Sequence, residues 1–521
     1  MYGEATRSAA ALKALLGLLT GFAVALGGCA AGPNYHTPKP DTPPEFVASA
    51  PANAAGATAT ASASAPDLAT WWHALNDPEL DSLVERAIKS NPDLEIALTR
   101  LQQARNYEAV VLGHALPDVD ASAAAAKGTG NDLTKGRADQ GLRSADDSSG
   151  LQHINTIAGF DAVWELDLFG KYRREFEAAR YDAQAAAAAR SAVITSLIAD
   201  VVRAYIDLRG LQISAGVLRS ASTVLRESLR IVNIRYERGI TNELDVQLAT
   251  RELDTLEAQI APVDAEVNAS EYTLAVLLGE YPESMVHELS TATLIPSMPA
   301  PVAPGAPLDL LKRRPDIQQA ERELASATAR IGVATANLFP QVALVASIGS
   351  QSQGLGTAPN ISKHIWSFGP GAVWPLLDFG ALDAEVNIAH LEAHASLVTY
   401  RKTILSAVQQ VDAALDGYTA QQDRLKYLGD AMVAAQRAVD LANERYNRGL
   451  TDFLNVVDAE RQFYDLQEQY AAAQVTQGEQ FVQLYKSLGG GWQGYQNIPA
   501  IRRPQPAIIA AFRRTLSSSA P

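Results

Sequence analysis

The feature that most constrains this 521-residue chain is that it is written twice. Val163-Trp164, Leu166 and Phe169-Gly170 recur 210 positions later as Val373-Trp374, Leu376 and Phe379-Gly380. Arg235-Tyr236-Glu237-Arg238-Gly239-Ile240-Thr241 recurs at the same spacing as Arg445-Tyr446-Asn447-Arg448-Gly449-Leu450-Thr451, and Leu278-Gly279 as Leu488-Gly489. Upstream, Pro92-Asp93-Leu94 and Pro117 recur as Pro315-Asp316-Ile317 and Pro340, here 223 positions on. The change of spacing falls between Pro117 and Trp164, where the first copy carries a Gly/Asp/Ser/Lys-rich insertion at about 127–150. Insertions of that kind collect in exposed loops, so each copy has one variable loop flanked by segments of fixed spacing.

Each copy reads helix, strand, loop, strand, long helix, turn, long helix. The first spans about 67–300 and the second about 301–495. Strands are expected at about 117–126 and 156–167, and again at about 340–350 and 365–377. Phe160, Ala162, Trp164 and Leu166 alternate with Gly159, Asp161, Val163 and Glu165. Val342, Leu344, Ala346 and Ile348 do the same, as do Trp366, Phe368, Ala372 and Trp374. Period 2 with one apolar face and aromatic ends fits a membrane barrel. The strands alone fit a soluble hairpin with one buried face equally well.

The helices carry a seven-residue period. Val386, Ala393, Tyr400, Ala407, Ala414, Gln421 and Leu428 form one series, and His390, Leu397, Ile404, Val411, Tyr418, Leu425 and Met432 its partner. Only His390 and Gln421 are polar. A 3.5-residue repeat held over that length specifies long supercoiled helices. Coiled-coil hairpins are therefore expected at about 171–279 and 381–489. A single helix from Tyr172 to Asn233 would run about 90 Å at 1.5 Å per residue. Arg238-Gly239 and Arg448-Gly449 supply the helix-ending turns.

Arg7 and Lys13 precede an apolar stretch from Leu15 to Leu26, then Leu26-Gly27-Gly28-Cys29. This reads as a secretory leader, residues 1–28, too short to span a membrane. Cys29 is the only cysteine in the chain, which rules out an internal disulfide and a cysteine-built zinc site. Leu-Gly-Gly-Cys resembles a bacterial lipobox, implying a covalent lipid (palmitate among its chains) on Cys29; Ala30 after it favours the outer membrane. Residues 29–66, rich in Pro, Ala, Ser and Thr, read as an extended tether. No later segment is expected to cross a membrane as a helix. A net charge of −15 without a long basic run excludes nucleic acid as a partner. The tail, 496–521, is basic and contains proline, and it suggests no role.

Two strand pairs make four strands, and known membrane barrels begin at about eight. An open sheet edge in lipid leaves backbone groups unpaired at several kcal/mol each. Strands in a membrane would therefore belong to a barrel shared between copies. The lipobox, the doubled plan, and the motifs Arg-Tyr-x-x-Gly and Leu-x-Val-x-Asp resemble the TolC/OprM outer-membrane factors, in their lipoprotein (NodT-type) branch. Gly32-Pro33-Asn34-Tyr35 and Leu488-Gly489-Gly490-Gly491-Trp492 also resemble that branch. The resemblance implies a mainly α fold with a small β part. Coiled-coil hairpins would form an α-barrel continuous with a shared transmembrane β-barrel, four strands from each chain of a homotrimer. It implies an outer-membrane location with a long periplasmic portion, and passive export of drugs or other small toxic compounds. A periplasmic adaptor and an inner-membrane pump of the RND type are the implied partners, beside outer-membrane lipid.

The resemblance also implies a gate at the periplasmic tip. Its two acidic positions fall on Asn455 and Asp458, so the first departs from the pattern and one acidic ring at Asp458 is expected. Asp245 occupies the place of Asn455 in the first copy. Arg461 lies one turn from Asp458, Tyr446 aligns with a latching tyrosine, and Leu454 lies beside them. Arg238, Gly239, Arg448 and Gly449 are the implied adaptor-docking tips. An exposed, solvated Asp458–Arg461 pair is the plainer alternative.

Enzyme chemistry finds no footing. His390 and His394 have helical metal-ligand spacing, but a zinc-protease motif needs glutamate directly after the first histidine and Glu392 is one place late. Gly354-Leu355-Gly356 precedes no helix, and no Gly-x-Ser-x-Gly elbow occurs. No cofactor or metal is expected. The rival reading is a periplasmic coiled-coil adaptor or structural lipoprotein, which would need no membrane-length strands with aromatic ends.

Overall fold

The computed structural model describes residues 30–39, 43, 46–47, 67–128, 153–285, 288–299, 307–353 and 364–495. The leader, Cys29, most of the tether, most of the insertion and the tail lie outside the described residues. The elements run α1 (Pro78–Ser90), α2 (Pro92–His114), β1 (Asp118–Gly128), β2 (His153–Leu166), α3 (Lys171–Glu237), α4 (Glu243–Leu277), α5 (Pro307–Arg313), α6 (Pro315–Ala336), β3 (Gln341–Gln353), β4 (His364–Val373), α7 (Ala381–Asn447) and α8 (Phe453–Ser487). From α2 and from α6 onward, the same sequence of elements appears twice.

Two compact units cut across the two copies instead of following them. Among the described residues one unit holds 30–38, 103–185 and 321–399, and the other holds the rest. The first unit contains one antiparallel sheet in the order β1-β2-β3-β4. Register sets its faces. Val119↔Ala162, Ala162↔Ala346 and Ala346↔Phe368 lie in line, so Phe160, Trp164, Leu344, Ile348, Trp366 and Phe368 share one face. Asp120↔Asp161, Asp161↔Ser347 and Ser347↔Ser367 make the other face polar. Phe160, Ile348, Trp366 and Phe368 are all exposed on the first face, which nothing in the chain covers among the described residues.

β1, β2 and β3 run two or three residues further into the hairpin loops than the apolar alternation suggests, because backbone pairing continues through the polar ends. β4 corrects the expectation in the other direction: it stops at Val373, not about 377. Val373 pairs with Gln341, the first residue of β3, and beyond it no residue of β3 stands opposite. The copies match down to side-chain hydrogen bonds. Trp164 Nε1 donates to the Ala115 carbonyl at 3.0 Å, and its counterpart Trp374 Nε1 donates to the Leu338 carbonyl at 3.1 Å.

The second unit holds the main core. Trp71 stacks on Tyr485, with ring centroids 5.2 Å apart, and Leu80, Leu83, Ile198, Val202, Ile206 and Phe481 close around them. Each such side chain contributes about 1.5–3 kcal/mol by leaving water. Arg209, fully buried, donates to Gln212 at 2.7 Å and to the Thr291 carbonyl at 2.8 Å and forms an ion pair with Glu79. One stretch of α3 is, contrary to the sequence reading, long and apolar enough to cross a membrane; most of it is buried inside the protein, so packing accounts for its composition.

Candidate gate and anchor

Two places collect the residues that the sequence singles out: the turns joining the long helices, in the second unit, and the segment after Cys29, in the first. Both helix turns close identically. The Gly239 and Gly449 amides donate to the carbonyls three residues back, Tyr236 (2.8 Å) and Tyr446 (2.9 Å). Ile240 and Leu450 donate to the carbonyls five residues back, Arg235 and Arg445, each at 2.9 Å. This is the Schellman ending, and it needs a left-handed residue; φ is 71° at both glycines. Arg448 pairs with Glu444 at 2.5 Å on the surface.

The departure at Asn455 has a local account. In the first copy the Thr241 hydroxyl donates to the Asp245 carboxylate. In the second, Asn455 Nδ2 donates to Thr451 Oγ1 at 2.8 Å, the same bridge with the donor reversed. Asp245 and Asn455 thus both tie the first turn of a helix to the preceding threonine.

Along α8, Phe453, Val456, Val457 and Glu460 are buried, at helical spacing. Leu454, Asp458 and Arg461 fall on the opposite, exposed face. Arg461 Nη2 donates to Asp458 Oδ1 at 3.3 Å and Gln462 Nε2 to Oδ2 at 2.7 Å, with both members of the ion pair about half exposed. Such a pair is worth about 0–1 kcal/mol. Tyr446 points inward, 5.3 Å from the Phe453 ring, and the Arg235 guanidinium lies 4.5 Å over it. Burial pushes its phenol pKa up. Tyr446 and Arg235 thus join α7 to α3, while Asp458 and Arg461 face away from them. Arg235 and the buried Glu460 escaped the sequence reading. Arg235 sits in the repeated Arg-Tyr motif and could have been found there; Glu460 offered only a charge at an apolar position of the α8 stripe.

Cys29 itself lies outside the described residues, but the segment after it is pinned. The Ala31 amide donates to the Phe169 carbonyl at 2.9 Å. Arg174, buried, reaches the carbonyls of Ala31 (3.0 Å) and Gly32 (3.2 Å) and the Asn34 side chain (2.8 Å). Gly32 lies against Gly332, where a Cβ would come within 2.5 Å of a Cα. The Tyr35 hydroxyl donates to Glu321 at 3.0 Å and its ring meets Tyr181 edge-on. The chain therefore leaves Ala30 beside Phe169-Gly170, between the end of β2 and the start of α3.

The model of the outer membrane efflux protein family matches residues 83–280 and 306–490, which is most of the chain and both copies. The chain belongs to the outer membrane efflux protein family. It is 31% identical over 475 residues to Nodulation protein T of Rhizobium leguminosarum bv. trifolii, covering 90% of this chain and 96% of that one. The pyoverdine export outer membrane protein OpmQ of Pseudomonas aeruginosa is 30% identical over 431 residues, covering 82% and 89%. The solved outer-membrane channel OprN superposes with a TM-score of 0.78 at 33% identity, over 89% of this chain and all of that one.

An outer membrane efflux protein is a channel of the outer membrane with a long periplasmic part, and both the resemblance and the fold class read from the sequence agree with that family. The adaptor reading falls: the match extends over both copies, strands included.

Proposed function

We propose that the protein is a homotrimeric, lipid-anchored, passive duct without catalytic activity, through which a periplasmic adaptor and an RND-type inner-membrane pump expel small toxic compounds. One observation carries the reading. The chain makes one four-stranded sheet whose outer strands, β1 and β4, have no partner on their far sides among the described residues. In a membrane those edges need partners, and further copies of the chain are the available ones.

The internal repeat says how they would meet. A shift of 210 carries β2 onto β4, and a shift of 223 carries β3 back onto β1. The pair Val163↔Val345 inside the chain then becomes Val373 opposite Ser122 of the next copy. Phe169 stacks on Phe339, with centroids 4.6 Å apart; the matching contact sets the fully exposed Phe379 against Leu116 of the next copy. Three copies give 12 strands, above the minimum for closure. The pinned segment supports lipidation of Cys29, because it delivers Ala30 to the end of β2, beside the membrane sheet. At the tip, Asp458 would form one acidic ring with Arg461 and Leu454 on the same exposed face. Tyr446 would hold the hairpins together from inside, and the turns at Arg238-Gly239 and Arg448-Gly449 would meet the adaptor.

Mass spectrometry of the purified protein in mild detergent tests both parts. The expected particle has three chains, each starting at an acylated Cys29. A folded monomer at working concentration contradicts the ring, and an unmodified Cys29 contradicts the anchor.

A further inference from the structure

The buried glutamate of α8 has no part in the function above. Glu460 is 2% exposed, and its Oε2 finds no hydrogen-bond partner among the described residues. Every neighbouring helix presents a polar group to it: Ser228 from α3, Asn443 from α7, and Glu252 from α4. Tyr464 follows on α8 itself. Glu252 is largely buried, with Arg251 on its outer side at 3.6 Å. Val456 and Val457, one turn before it on α8, belong to one buried apolar cluster, and Tyr464, one turn after it, packs against another that holds Leu253 and Leu256. The equivalent position in the first copy is Thr250, so only one of the two hairpins carries the acid. Among the described residues no cluster of three metal-ligating side chains exists. The chemistry that fits this place is the gain and loss of one proton.

We propose that Glu460 is a proton-operated clasp between the two hairpins at the tip: neutral, it holds α8 against α3 and α4; ionised, it drives them apart and opens the duct. A carboxylic acid can sit among apolar side chains at small cost, whereas a carboxylate there must draw in water or move out. Ionisation also sets a second negative charge near Glu252. Burial raises the Glu460 pKa, the charge of Glu252 raises it further, and Asn443 and Ser228 partly offset this. With the hairpins parted the group meets water and titrates in the ordinary carboxylate range. The clasped tip therefore binds the proton more tightly. Clasping is fully favoured below the ordinary range and is lost as pH rises from there through the raised value. Each unit of that rise multiplies the parted-to-clasped ratio by about ten once the group is ionised.

The gating half of this rests on the tip being the closing end of the duct. Two measurements on the full-length protein separate the clasp from the gate. In planar bilayers, wild-type open probability is expected to rise as pH is raised above the ordinary carboxylate range. Glu460→Gln stays at the low-pH level throughout, and Glu252→Gln keeps the dependence with its midpoint moved to lower pH. Glu460→Gln retaining the wild-type pH dependence overturns the proposal. Hydrogen exchange of residues 453–464, corrected for intrinsic base catalysis, reads the clasp without reference to conductance. It is expected to quicken with pH in the wild type and not in Glu460→Gln. Exchange that quickens while conductance stays flat upholds the clasp and removes its role as a gate. Exchange that does not change with pH overturns the clasp.

Discussion

The two long helices, α3 and α7, are copies of one another, yet the chain treats them differently. Ala178, Ala188 and Thr195 of α3 are buried, while their counterparts Ile388, Val398 and Leu405 of α7 are exposed. On α3 the covering element is α6: Arg330 pairs with Asp182 at 2.7 Å, Arg322 donates to Gln184 at 3.2 Å, and Arg322 lies over the Tyr181 ring. On α7 the corresponding face has no cover among the described residues. Leu391 is 69% exposed and Leu405 71%. Moreover, the exposed side carries the larger apolar residues. Alanine and threonine suit a face pressed closely by a helix of the same chain. Isoleucine, valine and leucine suit a face that must attract a separate one, since association has to overcome lost freedom of motion. In the trimer proposed above, the missing cover would be α2 of the next copy, whose Tyr107 and Val110 are also exposed.

Breaking that asymmetry should have the largest effect. Leu391→Glu combined with Leu405→Glu leaves each protomer able to fold, because both positions already face water in it. It removes the ring, since an unpaired carboxylate at a packed face costs several kcal/mol per copy. Size measurement in detergent is expected to show monomers. Trimers that persist would mean that the α7 face is not an interface. The opposite substitution, Ala188→Glu in α3, should damage the protomer itself and lower expression.

The tip sharpens the comparison on a smaller scale, because only the second copy pairs an exposed acid at 458 with Arg461. Arg461→Ala is expected to raise resting conductance by up to about fivefold, the range that an exposed ion pair of about 1 kcal/mol allows. Asp458→Ala is expected to weaken cation selectivity, because in the proposed trimer three carboxylates would stand around one axis and favour cations. The leakier variant should also sensitise cells to vancomycin, which is too large to cross the outer membrane unaided. Wild-type conductance, selectivity and vancomycin tolerance in both variants would reduce the pair to a solvated surface contact.

Much of the fold was legible because it is repeated. Period 2 marked the strands, period 3.5 marked the helices, and Arg-Gly marked the turns whose left-handed glycines close them. Strand ends were less legible: pairing continues through Ser350 to Gln353 and through Lys127 and Gly128 without apolar residues, since the ladder is made of backbone. The end of β4 depends on where β3 begins, which β4's own residues do not encode. Asn455 read as a lost acid, when its bond to Thr451 preserves the turn that Asp245 makes. Glu460 was illegible because a buried acid on a long helix looks like a surface acid until neighbouring helices enclose it. The difference between α3 and α7 was partly visible, in alanines against leucines, but alanine at a seam also reads as close packing within one coiled coil.

If the internal repeat dictates how one copy meets the next, the register between β4 and the next copy's β1 is fixed, and cysteine pairing reads that register. Cys29 is the only native cysteine, and its thiol is the expected site of lipid attachment, so introduced pairs report cleanly. Ser122→Cys with Val373→Cys in one chain should, on mild oxidation in membranes, give covalent dimers and closed trimers. Moving the partner by one residue, to Ala372→Cys, turns that side chain to the other face of the sheet and should abolish the bond. Efficient cross-linking at 122/373 and none at 122/372 is the predicted result; no intermolecular bond at 122/373, or equal bonding in both registers, would contradict it.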